Sequence, residues 1–287
     1  MEMHIWNGLI VLSKVLFYTG FASIVSYAFL FKVPLLKPKY TKLIVIANIA
    51  NLLWFIANSG AMAEEGLRGA FDQDILLIMI HSPIGSSALL RAIGLFFALL
   101  IIIKGQRKVD STPALWIRSC ILILSIILLT YSFTLIGHVS ELDYLAKLSL
   151  MIHALVMAWW FGSLPSLAIA CKTLETRKLK GLMDRFGKQA SILVTLLLFA
   201  GLYLGVSLNS GLNSLFYTDH GRVLLLKVVF VVIILGIAAN HKLRLVPSLN
   251  HKQQRNKLAN SIYLEMGIAS SILLLTSVLT SVVSPDL

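Results

Sequence analysis

Histidine and methionine are the side chains of this chain best suited to chemistry. It carries 7 histidines and 8 methionines. Imidazole nitrogen ligates copper, zinc and iron, and thioether sulfur adds a preference for the soft ion Cu(I). On the topology derived below, His4, His81, His138, His153 and His220 fall on or near one side of a membrane. Met1, Met3, Met62, Met79, Met151 and Met157 fall there too. A rim rich in both has the chemistry of a reception site for copper. Methionine also fills irregular helix packing and loop histidines are often simply solvated, so enrichment alone leaves metal binding open.

Spacing sharpens the case. His138, in Ile136-Gly137-His138-Val139, closes one apolar run, and His153 lies about two turns into the next. The short loop between them makes the two helices antiparallel neighbours, so both imidazoles can sit at similar depth. Met157 and Trp160 follow His153 at helical spacing and fall on its face. A buried histidine can equally be a hydrogen-bonded packing residue, but ionisable groups inside spans concentrate at functional positions. Lys14, Arg91 and Lys227 also interrupt apolar runs. Each either snorkels to the headgroups or holds an anionic partner. Glu265 reads as the start of the last span, where a helix N-terminus favours an acid. Gly201 and Gly205 form a GxxxG that speaks for close helix packing. Asn48, Asn51 and Asn58 are expected to face the bundle. Cys120 and Cys171 read as small apolar residues in a reducing compartment, not as a disulfide.

The elements that must position these groups are membrane spans. With 57% hydrophobic and 13% charged residues and a mean hydropathy of +0.85, the 287-residue chain needs lipid as its solvent. No room is left for a sizeable soluble domain. Apolar runs at 7–31, 43–62, 84–103, 114–136, 146–171, 189–209, 221–240 and 260–283 are each long enough to cross. Each must be helical, because only a helix satisfies its own backbone in lipid. A shorter segment near 71–80 reads as interfacial or re-entrant. Basic residues cluster in alternate connections: Lys32 to Lys42, Lys104 to Arg118, Lys172 to Lys188, and Lys242 to Lys257. These connections are expected in the cytoplasm. Glu64, Glu65, Asp72, Asp74, Glu141, Asp143 and Asp219 mark the opposite side. The expected fold is therefore an all-α polytopic membrane bundle of about eight helices with both termini outside. Met1-Glu2-Met3-His4 lacks the basic start of a secretory signal, so the first span is read as retained. The formal charge of +12 belongs to topology, and nucleic acid is not an expected partner.

The stretch from His153 through Trp160-Phe161-Gly162, preceded by Gly137-His138, resembles the membrane domain of the copper-resistance protein D (CopD) family. Arg185-Phe186, Gly221-Arg222 to Lys227, and Asn240-His241 to Pro247 continue the resemblance in order, over roughly residues 137 to 283. The first half resembles the family more weakly, through span number and the Gly85 to Arg91 segment. The chain is accordingly read as an N-terminal four-helix half, 1–136, and a CopD-like four-helix half, 137–287.

The resemblance implies a multi-pass protein of the bacterial inner membrane that moves copper from periplasm to cytoplasm. It is read as a transporter and not an enzyme, working beside a small CopC-like periplasmic copper-binding protein. His138 and His153 would inherit the metal role, with Met157, His81 and His220 as further ligands for a copper ion. The chain departs from the pattern in Ala200-Gly201, in His220, and in Lys14 of the first span, where the family often carries histidine. The proposed exit lies near Cys171, Glu265 or His241. A rival reading is a haem-binding oxidoreductase resembling membrane protoporphyrinogen oxidase, since histidines from adjacent helices also ligate haem.

Overall fold

A computed structural model describes residues 2–29, 37–104, 112–208, 214–249 and 252–281. Met1, Lys32, Arg107, Lys108 and the end of the last predicted span lie outside the described residues, as does the C-terminus. Among those described, the chain is helical almost throughout and has no strand.

Eight helices among the described residues are long and apolar enough to span a membrane. They are α1 (Glu2–Phe29), α2 (Lys37–Ala63), α5 (Pro83–Lys104), α6 (Thr112–Tyr131), α7 (Tyr144–Thr173), α8 (Thr176–Ser207), α10 (Asp219–Asn240) and α11 (Lys252–Leu279). Between α2 and α5 run two short helices, α3 (Gly66–Ala70) and α4 (Gln73–His81), while α9 (Ser214–Tyr217) precedes α10. Helix α4 is the short apolar segment expected near 71–80, and at nine residues it is too short to cross.

Several of the starts have chemical causes. The Asp72 carboxylate accepts from the backbone N–H groups of Asp74 and Ile75, and Asp143 accepts from Ala146 at 2.8 Å. Thr218 caps α10 by accepting from Gly221. These side chains satisfy donors that a helix start leaves free. Pro83 opens α5 at a position where its missing N–H costs nothing. At the other end of α7 the Arg255 guanidinium donates to the carbonyls of Cys171 and Leu174, closing that helix with a cation.

The helices extend beyond the apolar runs at the basic end of the bundle. Helix α8 begins at Thr176, so most of the connection expected between the fifth and sixth spans is helix. Likewise α11 begins at Lys252, and α10 runs on into a π-helical turn, His241–Leu245. Hydropathy marks where a helix meets lipid, not where its hydrogen bonds stop.

At the centre stand α1 and α7, which pack on each other. Helix α1 also contacts α2 and α11, α7 contacts α8 and α11, and α2, α5 and α6 complete that side. Helix α10 leans on α11 at the periphery, with almost none of its apolar stretch buried. The α1–α7 contact is backbone-close, since a Cβ on Gly162 would lie 2.1 Å from the Ala22 carbonyl oxygen. Asn51 ties α2 to α5 by donating to the Ala88 carbonyl at 2.9 Å. Asn48 and Asn58 donate instead to carbonyls of their own helix, Ile44 and Trp54.

Candidate functional site

At the acidic end of the bundle a cavity of about 880 Å³ opens between α1, α2, α5, α7, α8, α10 and α11. Three histidines and three methionines line it: His138, His153, His220, Met62, Met79 and Met157. Four of the five predicted ligands are therefore brought to one space. His81 is the exception. It lines a neighbouring pocket of about 410 Å³ with Ser140 and Lys147, and its Nδ1 lies 2.8 Å from the Leu77 carbonyl oxygen.

Local structure explains how each group arrives. Helix α6 does not carry His138. It gives way to a 3-10 turn, Ser132–Leu135, and the chain then passes through Gly137 with φ +72° and ψ −176°. That conformation is open only to glycine. A second 3-10 turn then starts at His138 and presents it at the mouth. His153 and Met157 come from one face of α7, one turn apart. His220 sits in the first turn of α10, buried behind the Thr218 cap.

His153 stands apart from the group by an unpartnered ring nitrogen. Its Nδ1 is buried and has no hydrogen-bond partner among the described residues, which leaves a lone pair or a proton unspent in an apolar place. Beside it stands Gly201, whose added Cβ would come within 3.2 Å of the ring at both Cε1 and Nδ1. Gly201 thus makes room for an imidazole, while Gly205 faces open space. The GxxxG on α8 serves the histidine more than a helix pair. Gly201→Ala is expected to turn the His153 ring and, on the copper reading proposed below, to weaken copper binding about tenfold, the scale of losing a residue that supports a ligand. Copper titration of the purified variant checks this.

Trp160 does not join the cavity. It shares His153's side of α7 by helical spacing but lies about two turns further along, outside the cavity lining, where its Nε1 donates to Glu265 Oε1 at 3.0 Å. Nor does Glu265 stand at a helix start, as the sequence suggested. It lies near the middle of α11, 2% exposed, because α11 begins well before the apolar run. His241 Nδ1 approaches Glu265 Oε2 at 3.2 Å, and His241 Nε2 lies 2.6 Å from Ser261 Oγ. The consistent arrangement has Nδ1–H donating to the carboxylate and the Ser261 hydroxyl donating to Nε2. A buried carboxylate, imidazole and indole thus form one network nearer the basic end. The sequence signal was an acid flanked by apolar residues, which is expensive unless partnered.

Of the two readings left open for Lys14 and Arg91, snorkelling does not hold. Lys14 is 6% exposed and donates from Nζ to the Thr280 carbonyl at 2.7 Å and to Thr280 Oγ1 at 3.1 Å. Arg91 is 2% exposed and donates from Nε to Ser132 Oγ at 3.1 Å. Its guanidinium carbon stands 4.5 Å from the Phe17 ring centre, 4.4 Å from Trp54 and 5.3 Å from Phe133. Aromatic faces here replace the water that snorkelling would have reached. Both cysteines are free thiols, Cys171 buried in the core and Cys120 exposed.

No three His, Cys, Asp or Glu side chains converge into a preformed cluster among the described residues. The cavity instead offers dispersed nitrogen and thioether donors. Imidazole and thioether donors of this kind suit a soft ion such as Cu(I).

These features define a polytopic helical membrane protein with a His- and Met-lined cavity at one end. The family model "Copper resistance protein D" matches residues 180–279, and "Copper resistance protein D-like, N-terminal domain" matches residues 9–148. The chain belongs to the copper resistance protein D family. It is also similar to "Copper transport protein CutJ" of Bacillus subtilis (strain 168), with 27% identity over 254 residues. That match covers 84% of this chain, which spans only 45% of the relative's length. No solved structure matches. The first half, whose motifs resemble the family more weakly, is matched by a family model of its own.

Proposed function

We propose that the protein carries copper across the bacterial inner membrane, from the periplasm to the cytoplasm. The observation that carries this reading is the convergence of His138, His153, His220, Met62, Met79 and Met157 on one cavity. Family membership and the similarity to a copper transport protein supply the ion. The distribution of basic residues supports placing the cavity at the periplasmic face, with both termini outside.

Copper is received at the mouth by His138 and His220, from a small CopC-like periplasmic protein. It then moves to His153 and Met157 by exchange of ligands. The His241 and Glu265 network is its next station toward the cytoplasm, where a carboxylate and an imidazole offer harder donors. No nucleotide-binding motif supplies energy, so an ion gradient or a cytoplasmic trap drives the flux.

Radioactive copper uptake into liposomes tests the reading. Wild-type protein is expected to admit copper well above protein-free liposomes, and His153→Ala to reduce that flux about tenfold or more, since even a supporting residue's loss weakens a metal site on that scale. Flux indistinguishable from protein-free liposomes would overturn it.

A further inference from the structure

The cavity proposed to receive a metal cation is itself rich in positive charge. Lys14 from α1, Arg91 from α5 and Lys227 from α10 all line it. None of the three makes an ion pair among the described residues. The acid on the lining is Glu141, exposed in the loop at the mouth.

The contacts these cations do make leave their charge uncancelled. Lys14 is bonded to a carbonyl and a hydroxyl of Thr280. Arg91 spends Nε on a serine hydroxyl and lies among aromatic faces, which attract a cation but carry no net charge. Its two Nη groups have no hydrogen-bond partner among the described residues, nor has Lys227 Nζ. Lys14 and Arg91 are buried and Lys227 is half-buried, and a charge taken out of water without a counter-charge is strongly disfavoured. Three around one space add mutual repulsion, and that repulsion would also oppose an incoming copper ion.

We propose that the cavity holds an oxyanion of the phosphate class, taken by the Nη groups of Arg91 and the ammonium groups of Lys14 and Lys227. A guanidinium with both Nη groups free is shaped for two parallel bonds to such a group. The anion is either inorganic phosphate or the headgroup of an anionic phospholipid, whose chains would lie along the apolar lining. Bound there, it turns a repulsive cavity into one a cation can occupy; that role, unlike the anion site itself, rests on the copper reading.

The test compares wild type with Lys227→Gln and with Lys14→Met plus Lys227→Met in detergent, each checked for helicity and monodispersity. Lys227→Gln gives up no hydrogen bond, so it keeps the test usable if the double variant fails to fold. Inorganic phosphate is titrated into delipidated protein by calorimetry, and native mass spectrometry counts phosphatidylglycerol carried from the membrane. The expected result is one phosphate or one phosphatidylglycerol per wild-type chain. Binding should weaken about tenfold in Lys227→Gln, as for loss of one charged hydrogen bond, and further in the double variant. A saturable phosphate titration identifies the free anion, and retained lipid without phosphate binding identifies the headgroup. Wild-type protein that binds neither, or binds equally well as Lys227→Gln, overturns the proposal. Copper loading of the same samples separates the two readings: oxyanion binding without copper binding would leave the anion site standing and remove the copper function.

Discussion

Replacing Glu265 with leucine will destabilise the protein by about 2–6 kcal/mol, since two donors inside the bundle each lose their acceptor at about 1–3 kcal/mol. Trp160 Nε1 and His241 Nδ1 both point at this carboxylate, and each would be left without an acceptor inside the bundle. Leucine fills the volume but accepts nothing. The measurement is thermal unfolding in detergent, which should shift to clearly lower temperature. Glu265→Gln separates structure from transport. Its amide oxygen still accepts from Trp160, so stability should fall much less. On the proposed copper path its flux should nonetheless drop, because the charged donor of the proposed inner station is gone. A glutamine variant with full flux would show that the network merely holds α7, α10 and α11 together.

The second large effect is expected where α1 and α7 touch. Gly162→Ala puts a methyl carbon 2.1 Å from the Ala22 carbonyl oxygen and 2.9 Å from Ser26 Cβ. The nearest obstacle is backbone, so no rotamer change relieves it. The helices must part, at a cost of about 3 kcal/mol or more, toward the upper end for overpacked cores. Because α7 carries His153 and Met157, metal binding should weaken along with stability. Gly205→Ala, which meets nothing within 4 Å, is the matched control and should unfold as the wild type does.

The spans were legible because lipid imposes one strong rule, that a crossing segment be long, apolar and helical. Every apolar run found in the sequence became one of the eight candidate spans. The composition of the cavity was partly legible too, because His153 and Met157 share a helix and helical spacing alone puts them on one face. What could not be read was any contact between helices distant in sequence. The cage around Arg91 draws Phe17, Trp54 and Phe133 from three separate segments, and nothing near Arg91 in the chain announces them. Trp160 shares His153's face of α7 but lies about two turns further along, where its partner is Glu265 of α11, which spacing within α7 could not reveal. Glu265 itself was misplaced because the polar start of α11, from Lys252, contributes nothing to hydropathy. Gly201 was assigned to helix packing by its motif, whereas its neighbour is the His153 ring.

The central claim is that the cavity histidines hold copper. It is tested most directly by metal content and absorbance of the protein purified in detergent after copper loading, wild type against His138→Ala plus His153→Ala. The account predicts near-stoichiometric copper in the wild type, its loss in the double variant, and no Soret band in either. Copper binding unchanged by the two substitutions would contradict it, as would a Soret band that the substitutions abolish, since that would make the pair haem ligands.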